Sequence, residues 1–256
     1  IPARTTAVIP VNPAQPRIAS MQTPASTSPA PLSGISSMAT RQLLAELTAA
    51  YTARTGQAVA VESVGGVDAA KRVQAGEAFD VVILASDAIA KLVAAGHLRA
   101  DSVTNLVHSD VAVAVHAGAA VPDISSEYAV RQAVLAAPTI SYSTGPSGVA
   151  LAKLFERWGI ADQIKDRIVT APPGLPVGSL VAQGEVALGF QQLSELIHVD
   201  GIAIVGPLPG AIQISTTFSA AMTTGCTRPA EVQTLLDFMA SPEAADAKHR
   251  QGMAPV

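Results

Sequence analysis

Residues 34–44, GISSMATRQLL, bring several hydroxyl groups, one arginine and the start of an apolar helical pattern close together. Ser36, Ser37 and Thr40 are residue types that cap or precede helices. The first backbone N–H groups of a helix have no partner within the helix, and the helix dipole favours a negative group beside them. We therefore predict an anion-binding loop at this point, with an ordinary helix cap as the alternative interpretation.

Arg41 adds a positive charge next to this loop. A guanidinium forms two parallel hydrogen bonds with a planar carboxylate, a geometry that suits a carboxylate better than a tetrahedral metal oxide. The predicted ligand is therefore an organic carboxylate. The alternative is that Arg41 lies on the solvent side of its helix.

A second loop of the same kind lies near residue 147. Ser147 and Gly148 follow Gly145-Pro146 and open another apolar helical pattern. Because glycine lets a backbone approach a ligand closely, we predict a ligand-binding turn before this helix.

The chain beyond residue 34 alternates between helix-like and strand-like segments. Apolar residues at helical spacing predict helices, and β-branched or continuous apolar runs predict strands. The predicted helices cover 42–55, 67–75, 86–95, 127–136 and 148–158, and the predicted strands cover 57–64, 79–84, 111–115, 139–143 and 185–190. This alternation is typical of an α/β fold, and the number of units indicates two sheets.

Composition excludes several function classes. The 256 residues are 49% hydrophobic and carry a net charge of −4 without a block of Lys or Arg, which argues against nucleic acid or an anionic membrane as the main partner. No apolar run approaches the roughly 18 residues of a membrane span. We expect a soluble globular chain.

Metal and cofactor chemistry have little support in the sequence. Cys226 is the single cysteine, and the five histidines are scattered, so no Cys/His cluster has metal-ligand spacing. We expect no metal and no cofactor, and we interpret Cys226 as a buried or half-buried thiol.

Residues 1–31 differ from the rest of the chain. They are rich in Pro, Ser and Thr, lack Asp and Glu, and show no helical period, so we expect an extended or disordered arm. The arm lacks the continuous apolar core of a secretory signal. We expect a periplasmic location on the family resemblance described next, with the cytoplasm as the alternative because no signal peptide is visible.

Five segments occur in a recognisable order: SSMATRQLLAEL, VESVGGVDAAKRVQAGEAFDVVILASDAIAKL, ISYSTGPSGVALAKLFERWGI, VGSLVAQGEVALGFQQLSEL and LLDFMASPEAADAKHRQGM. Together they resemble the periplasmic molybdate-binding protein family, which has the type II solute-binding fold of ABC transporters. The resemblance covers residues 32–256 and is most specific in GEAFDVVILASD and SPEAADAKHRQGM. It implies two Rossmann-like α/β lobes joined by a two-strand hinge, with lobe 1 at 32–110 plus 218–256 and lobe 2 at 111–217.

The resemblance also implies a ligand between the lobes, held by backbone N–H groups and hydroxyls at helix N-termini. Carried over by position, the ligand loops are 34–38, 65–67, 144–148, 173–178 and the segment around Gln191 and Gln192. The predicted ligand-binding residues are Ser36, Ser37, Arg41, Gly65, Gly66, Ser86, Thr144, Ser147, Gly148, Val177 and Gln192.

Two positions depart from the family pattern. Where molybdate binders typically have a serine in the second loop, this chain has Gly65-Gly66-Val67. Where they usually place a tyrosine, it has Gln191 and Gln192, which present amides instead of a phenol. A compact tetrahedral oxyanion is therefore disfavoured, and a di- or tricarboxylate is predicted.

Two function classes fit these features. The first is a solute-binding protein that captures a small anion by lobe closure and delivers it to an ABC permease; we expect a monomer. The second is an isomerase that resembles aconitate isomerase, in which a side chain removes a proton α to a carboxylate and returns it at the allylic carbon. No spacing selects its general base, for which the candidates are Glu62, His108, Ser36 and Ser37. A sensory domain would need a fused DNA-binding or signalling module.

Overall fold

The structure is a computed structural model that describes residues 29–172 and 174–256. Its strands are β1 (Leu32–Ser37), β2 (Val59–Val64), β3 (Val81–Ala85), β4 (Thr104–His116), β5 (Ile140–Tyr142), β6 (Leu188–Gln192), β7 (Ile202–Pro207), β8 (Ser215–Met222) and β9 (Met253–Pro255). Its α-helices are α1 (Arg41–Thr55), α2 (Gly66–Gln74), α3 (Ser86–Ala94), α4 (Glu127–Ala136), α5 (Pro146–Arg157), α6 (Ala161–Ile164), α7 (Val177–Ala182), α8 (Leu193–Leu196), α9 (Pro229–Ala240) and α10 (Ala245–Arg250). A 3-10 turn, Met38–Thr40, joins β1 to α1. Residues 1–28 of the predicted arm, and Pro173 of a predicted ligand loop, lie outside the described residues.

The first lobe is built on a mostly parallel sheet. β1 pairs in parallel with β2 and β3, and β8 continues the sheet antiparallel to β3. Every residue of β3 is buried, because α1, α9 and α10 cover one face of the sheet while α2 and α3 cover the other. Burial on both faces explains why this strand is a continuous apolar run.

The second lobe has its own sheet and core. β5 and β6 are parallel, and β4 is antiparallel to both β6 and β7. α4, α5 and α6 pack on this sheet around Phe155 and Phe190, whose ring centroids are 6.1 Å apart. The second lobe therefore buries its apolar residues separately from the first.

Two strands run between the lobes. The first half of β4, up to Asp110, pairs with β8, and the second half, from Val111, pairs with β6 and β7. Asp110 and Ser215 are partners in the β4–β8 register. The fold is therefore the predicted α/β arrangement of two lobes with a two-strand hinge, and the residue boundaries assigned to the lobes stay a prediction.

The predicted elements are confirmed with some corrections. Residues 34–37, predicted as a loop, are the end of β1, because Ile35 is buried and both neighbouring strands bond to this segment. The strand predicted at 111–115 is only the apolar half of β4, whose polar first half continues into the hinge. The strand predicted at 185–190 lies two to three residues later, as β6.

Three further properties concern the described residues alone. In 29–172 and 174–256, no helix combines the length and apolar character needed to cross a bilayer. Within the same ranges, no three His, Cys, Asp or Glu side chains gather where they could hold a metal ion. Cys226 is half-buried and free, as predicted, and burial raises the pKa of its thiol.

Candidate functional site

The carboxyl ends of β1, β2 and β3 lie side by side, because the three strands are parallel. Ser36 Oγ lies 2.7 Å from Ser63 Oγ across β1 and β2. A Cβ built on Gly66 would lie 3.8 Å from Ser37 Cβ. The structure thus brings together Ser36, Ser37 and Gly66 at the edge of the sheet where open α/β folds bind ligands.

Ser37 also acts as a helix cap. Its Oγ accepts a hydrogen bond from the N–H of Ala39 at 3.2 Å, and Thr40 Oγ1 donates to the Ser37 carbonyl at 3.0 Å. The Ser37 hydroxyl therefore accepts one hydrogen bond as an ordinary cap, which is the alternative interpretation of this segment. Because a hydroxyl also donates one hydrogen bond, the cap does not use up its capacity to bind an anion.

The helices that follow the strand ends begin without side-chain caps. α2, α3 and α5 start after Gly65, Ala85 and Gly145, and none of these three residues supplies a capping side chain. By contrast, Ser126 caps α4, which does not follow a strand end, by accepting from Ala129 N at 3.1 Å. The first-turn N–H groups of α2, α3 and α5 are thus left for an external partner, preferably an anion.

The loop from β5 to α5 is tightly folded. Ser143 Oγ and Ser147 Oγ are 3.0 Å apart, and Ser147 is buried. A Cβ on Gly148 would overlap the Ser143 carbonyl oxygen and lie 2.6 Å from its carbon. Glycine is required at position 148 by this backbone contact, which is a structural reason independent of any ligand.

Two buried glutamines end β6. Gln191 Oε1 accepts from Gly178 N, in the first turn of α7, at 3.0 Å. Gln192 Nε2 donates to Thr216 Oγ1 of the hinge strand β8 at 3.0 Å. Among the described residues nothing donates to Gln192 Oε1, although this atom is buried. Buried polar atoms are nearly always paired, so this amide is a candidate for contact with a bound molecule or a water.

Helix α8 connects the two lobes directly. Ser194 Oγ donates to the carbonyl of Ala39, in the 3-10 turn of the first lobe, at 2.9 Å. Leu193 packs against Gly252 near the C-terminus, where a Cβ would lie 3.0 Å from Leu193 Cγ. α8 therefore lies at the boundary between the lobes.

Glu195 lies on this helix, and its carboxyl differs from other acids of the chain. The side chain is partly exposed, and burial raises its pKa from 4.5 to about 7, opposed by hydrogen bonding from the Gln191 side chain. The carboxyls of Glu46 and Glu62 have lowered pKa values instead, because each accepts hydrogen bonds from an arginine, and the pKa of Glu127 is lowered by hydrogen bonds from Trp158 and then Arg157. Glu195 is therefore a carboxyl that can exchange a proton near neutral pH.

The remaining predicted residues occupy varied positions. Arg41 is the first residue of α1 and is exposed, and Thr144 is exposed in the β5–α5 loop. Val177 is buried at the start of α7. Ser86 is exposed at the start of α3 and lines a mostly apolar groove of about 320 Å³ with Asn105 and Ser219. The ligand-binding role assigned to each of these residues stays a prediction.

The structure does not favour Glu62 or His108 as the general base. Glu62 is exposed and its Oε1 lies 2.7 Å from Arg72 Nη1, and hydrogen bonds from that guanidinium lower the pKa of its carboxyl. His108 Nδ1 is 2.9 Å from Thr217 Oγ1 on the hinge. Glu62 is thus held as a carboxylate by an arginine, and Nδ1 of His108 is hydrogen-bonded to the hinge.

Ser194, Glu195 and Thr216 were not predicted from the sequence. Glu195 follows the end of a buried strand by three residues and lies four residues after Gln191, so its position in LSEL was the available signal. Thr216 had no local signal, because it meets Gln192 only through the pairing of β8 and β6 with the same strand, β4.

Comparisons with known proteins agree with this geometry. A family model described as bacterial extracellular solute-binding protein matches residues 32–254. The chain is 40% identical over 219 residues to an aconitate isomerase from a Pseudomonas species, which covers 82% of each chain.

Solved structures show the same fold. The periplasmic molybdate-binding protein of Azotobacter vinelandii has a TM-score of 0.73 and 21% identity, covering 87% of this chain and 98% of its own. The sulfate-binding protein SubI of Mycobacterium tuberculosis H37Rv has a TM-score of 0.72 and 17% identity, covering 88% and 86%. These identities support the fold alone, and they confirm the type II periplasmic binding protein arrangement. On the family match and the 40% identical relative together, the chain belongs to the bacterial extracellular solute-binding protein family.

Proposed function

We propose that this chain binds a small organic di- or tricarboxylate in the cleft between its lobes. The observation that carries the proposal is the set of uncharged donors at the strand ends. It combines uncapped helix N-termini with the hydroxyls of Ser36 and Ser147. Neutral donors of this kind stabilise an anion without a full positive charge.

The chemistry of the cleft favours a carboxylate over a tetrahedral oxyanion. Gly65 and Gly66 provide no hydroxyl in the second loop, and amides stand at the end of β6. Arg41, at the start of α1, supplies a planar fork that suits a carboxylate. The aconitate isomerase relative carries the name of a tricarboxylate, which agrees with this class of ligand.

Binding of trans-aconitate, cis-aconitate, citrate and molybdate to the purified protein tests the proposal by titration calorimetry. We expect saturable binding of at least one tricarboxylate, and Arg41→Ala should weaken it by about 2 kcal/mol, roughly thirtyfold. Lys71→Ala removes an exposed charge from the last turn of α2 and is the matched control. Binding of molybdate alone would refute the carboxylate assignment, and equal affinities for the Arg41 variant and wild type would remove Arg41 from the site.

A second candidate function is the isomerisation of aconitate. Two observations favour it, namely the 40% identity to an aconitate isomerase and the carboxyl of Glu195, whose pKa of about 7 lets it exchange a proton near neutral pH. Proton NMR in deuterated buffer distinguishes the two functions. New aconitate signals and deuterium at carbon establish isomerisation, whereas line shifts without either indicate binding alone.

We further propose a periplasmic protein that works as a monomer and, in the binding role, passes its ligand to an ABC permease. The family description and the similarity to periplasmic binding proteins support the location. The lobes are proposed to comprise 32–110 plus 218–256 and 111–217, with closure about β4 and β8. Scattering curves that are identical with and without saturating ligand would contradict closure.

A further inference from the structure

The side chain of Gln192 reaches across the hinge. β6 and β8 lie on opposite edges of β4. Gln192, at the end of β6, is paired with Val111 of β4, and Thr216 of β8 is paired with Ser109. Gln192 Nε2 nevertheless donates to Thr216 Oγ1 at 3.0 Å. The amide therefore lies over β4, on the face from which the side chains of Gln192 and Thr216 project.

Ser109 presents its hydroxyl on this same face. Paired residues of antiparallel strands project their side chains to one side of the sheet, and so do residues two apart in a strand. Ser109 is the partner of Thr216 and lies two residues before Val111. Ser109, Gln192 and Thr216 therefore share one surface of the hinge, which we call the hinge floor.

Two polar atoms of the hinge floor have no hydrogen-bond partner among the residues that the structure describes. They are Ser109 Oγ and Gln192 Oε1, and the two residues are only 0% and 4% exposed. An amide oxygen accepts hydrogen bonds but cannot donate, whereas a serine hydroxyl donates one. Because buried polar atoms are nearly always paired, the two atoms need a partner that both donates and accepts.

The hinge floor lies beside the helix starts that are proposed to hold the ligand. Gln192 is the last residue of β6, and Ser194, two residues later, donates to the carbonyl of Ala39 in the turn that follows β1. From the second lobe, α5 contacts β8, the strand that carries Thr216. The hinge floor thus lies between the proposed donors of the two lobes.

We propose that the hinge floor is a subsite for a hydroxyl group, so that the ligand is a hydroxy di- or tricarboxylate. The ligand O–H donates to Gln192 Oε1, and its oxygen accepts from Ser109 Oγ. An ionised carboxylate cannot replace it, because it has no hydrogen to donate. Both protein atoms are covered in the structure, so the ligand enters while the lobes are apart. This inference rests on the proposed binding function and narrows the ligand within that class.

Matched pairs of ligands test the subsite. Citrate differs from propane-1,2,3-tricarboxylate by one hydroxyl, and malate differs from succinate in the same way. Titration calorimetry at about pH 8, where the carboxyls of these ligands are ionised, gives the ratio of affinities within each pair. In at least one pair, we expect the wild-type protein to bind the hydroxylated member at least about tenfold more tightly, because its analogue leaves a buried acceptor unpaired.

Three variants locate the effect. Ser109→Ala and Gln192→Met each remove one hydrogen-bonding group, and methionine is an unbranched side chain that adapts to irregular space. Ser141→Ala is the matched control: Ser141 Oγ is also buried without a partner among the described residues, but it lies on β5, opposite Gly189 of β6. We expect each hinge-floor variant to lower the affinity ratio by at least about threefold and Ser141→Ala to keep the wild-type ratio. Melting temperatures report whether each variant folds.

The wild-type ratio is a readout that needs no variant to fold. A buried water also donates and accepts hydrogen bonds, but it makes affinity independent of a hydroxyl on the ligand. Equal affinities within both pairs therefore overturn the subsite and leave the binding function standing, as does binding of trans-aconitate without binding of either pair. A ratio that persists in Gln192→Met, or falls equally in Ser141→Ala, overturns the assignment to the hinge floor. If trans-aconitate and both pairs all fail to bind, the binding function fails as well.

Discussion

Gly148→Ala provides a test of how the β5–α5 loop is held. Outside a strained position, replacing Gly by Ala near a helix start stabilises a protein by about 0.4–1 kcal/mol. At position 148, however, the added Cβ would overlap the Ser143 carbonyl oxygen and lie 2.6 Å from its carbon. Rotamer changes cannot move a backbone oxygen, so the loop or the helix start must shift. We expect a net loss of about 2–3 kcal/mol in the free energy of unfolding.

Gly145→Ala is the matched control for this substitution. Gly145 lies in the same loop with φ −81°, and a Cβ there would meet no atom within 4 Å. Urea denaturation followed by circular dichroism should show the Gly148 variant unfolding about 1 M earlier than wild type, and the Gly145 variant within a few tenths of 1 M. Equal midpoints for the two variants would refute the loop geometry. Under the proposed binding function, in which Ser147 contacts the ligand, a destabilised Gly148 variant should also bind tricarboxylates at least tenfold more weakly.

Two further predictions concern α8. The Glu195 pKa of about 7 lies above its ordinary 4.5, so the ionised form destabilises the folded state, and stability is lost as pH rises from 4.5 through 7. A shift of one pKa unit corresponds to about 1.4 kcal/mol, so Glu195→Gln should be more stable than wild type by about 3 kcal/mol at pH 8 and nearly equal to it at pH 4. Urea denaturation midpoints at the two pH values measure this difference. A gain in stability of equal size at both pH values would contradict the burial effect. Ser194→Ala should cost about 1 kcal/mol through loss of its bond to the Ala39 carbonyl and should favour the open arrangement of the lobes, measured as weaker ligand binding and a larger radius of gyration. An unchanged radius and affinity would show that this hydrogen bond does not hold the lobes together.

The sequence by itself predicted the α/β order of elements and the family resemblance. The helical spacing of apolar residues in 42–55 and the apolar run before Ser86 predict local secondary structure, which depends little on distant parts of the chain. The positions of Ser37 before the Met38–Thr40 turn and of Gly66 at the start of α2 followed from cap and turn chemistry in the same way, whereas Ser36 lies within β1. Segment order then indicated a two-lobed fold.

Tertiary structure decided the features that arise from distant residues meeting. The polar first half of β4, which includes His108 and Asp110, forms a strand because it pairs with β8. The sequence pattern does not show this pairing. Residues separated by 155 positions meet where Ser194 bonds to Ala39. No local pattern encodes such contacts, because they depend on how whole elements pack.

Glu195 and Gly148 show that the chemical properties of a side chain also depend on the tertiary structure. The sequence placed a glutamate after Gln192 and a glycine after Ser147, but side-chain type does not specify surroundings. Burial without a positive partner raises the pKa of Glu195, and the Ser143 carbonyl is what requires glycine at 148. Desolvation and steric contact are properties of the packed chain, so they exist only once the lobes have formed.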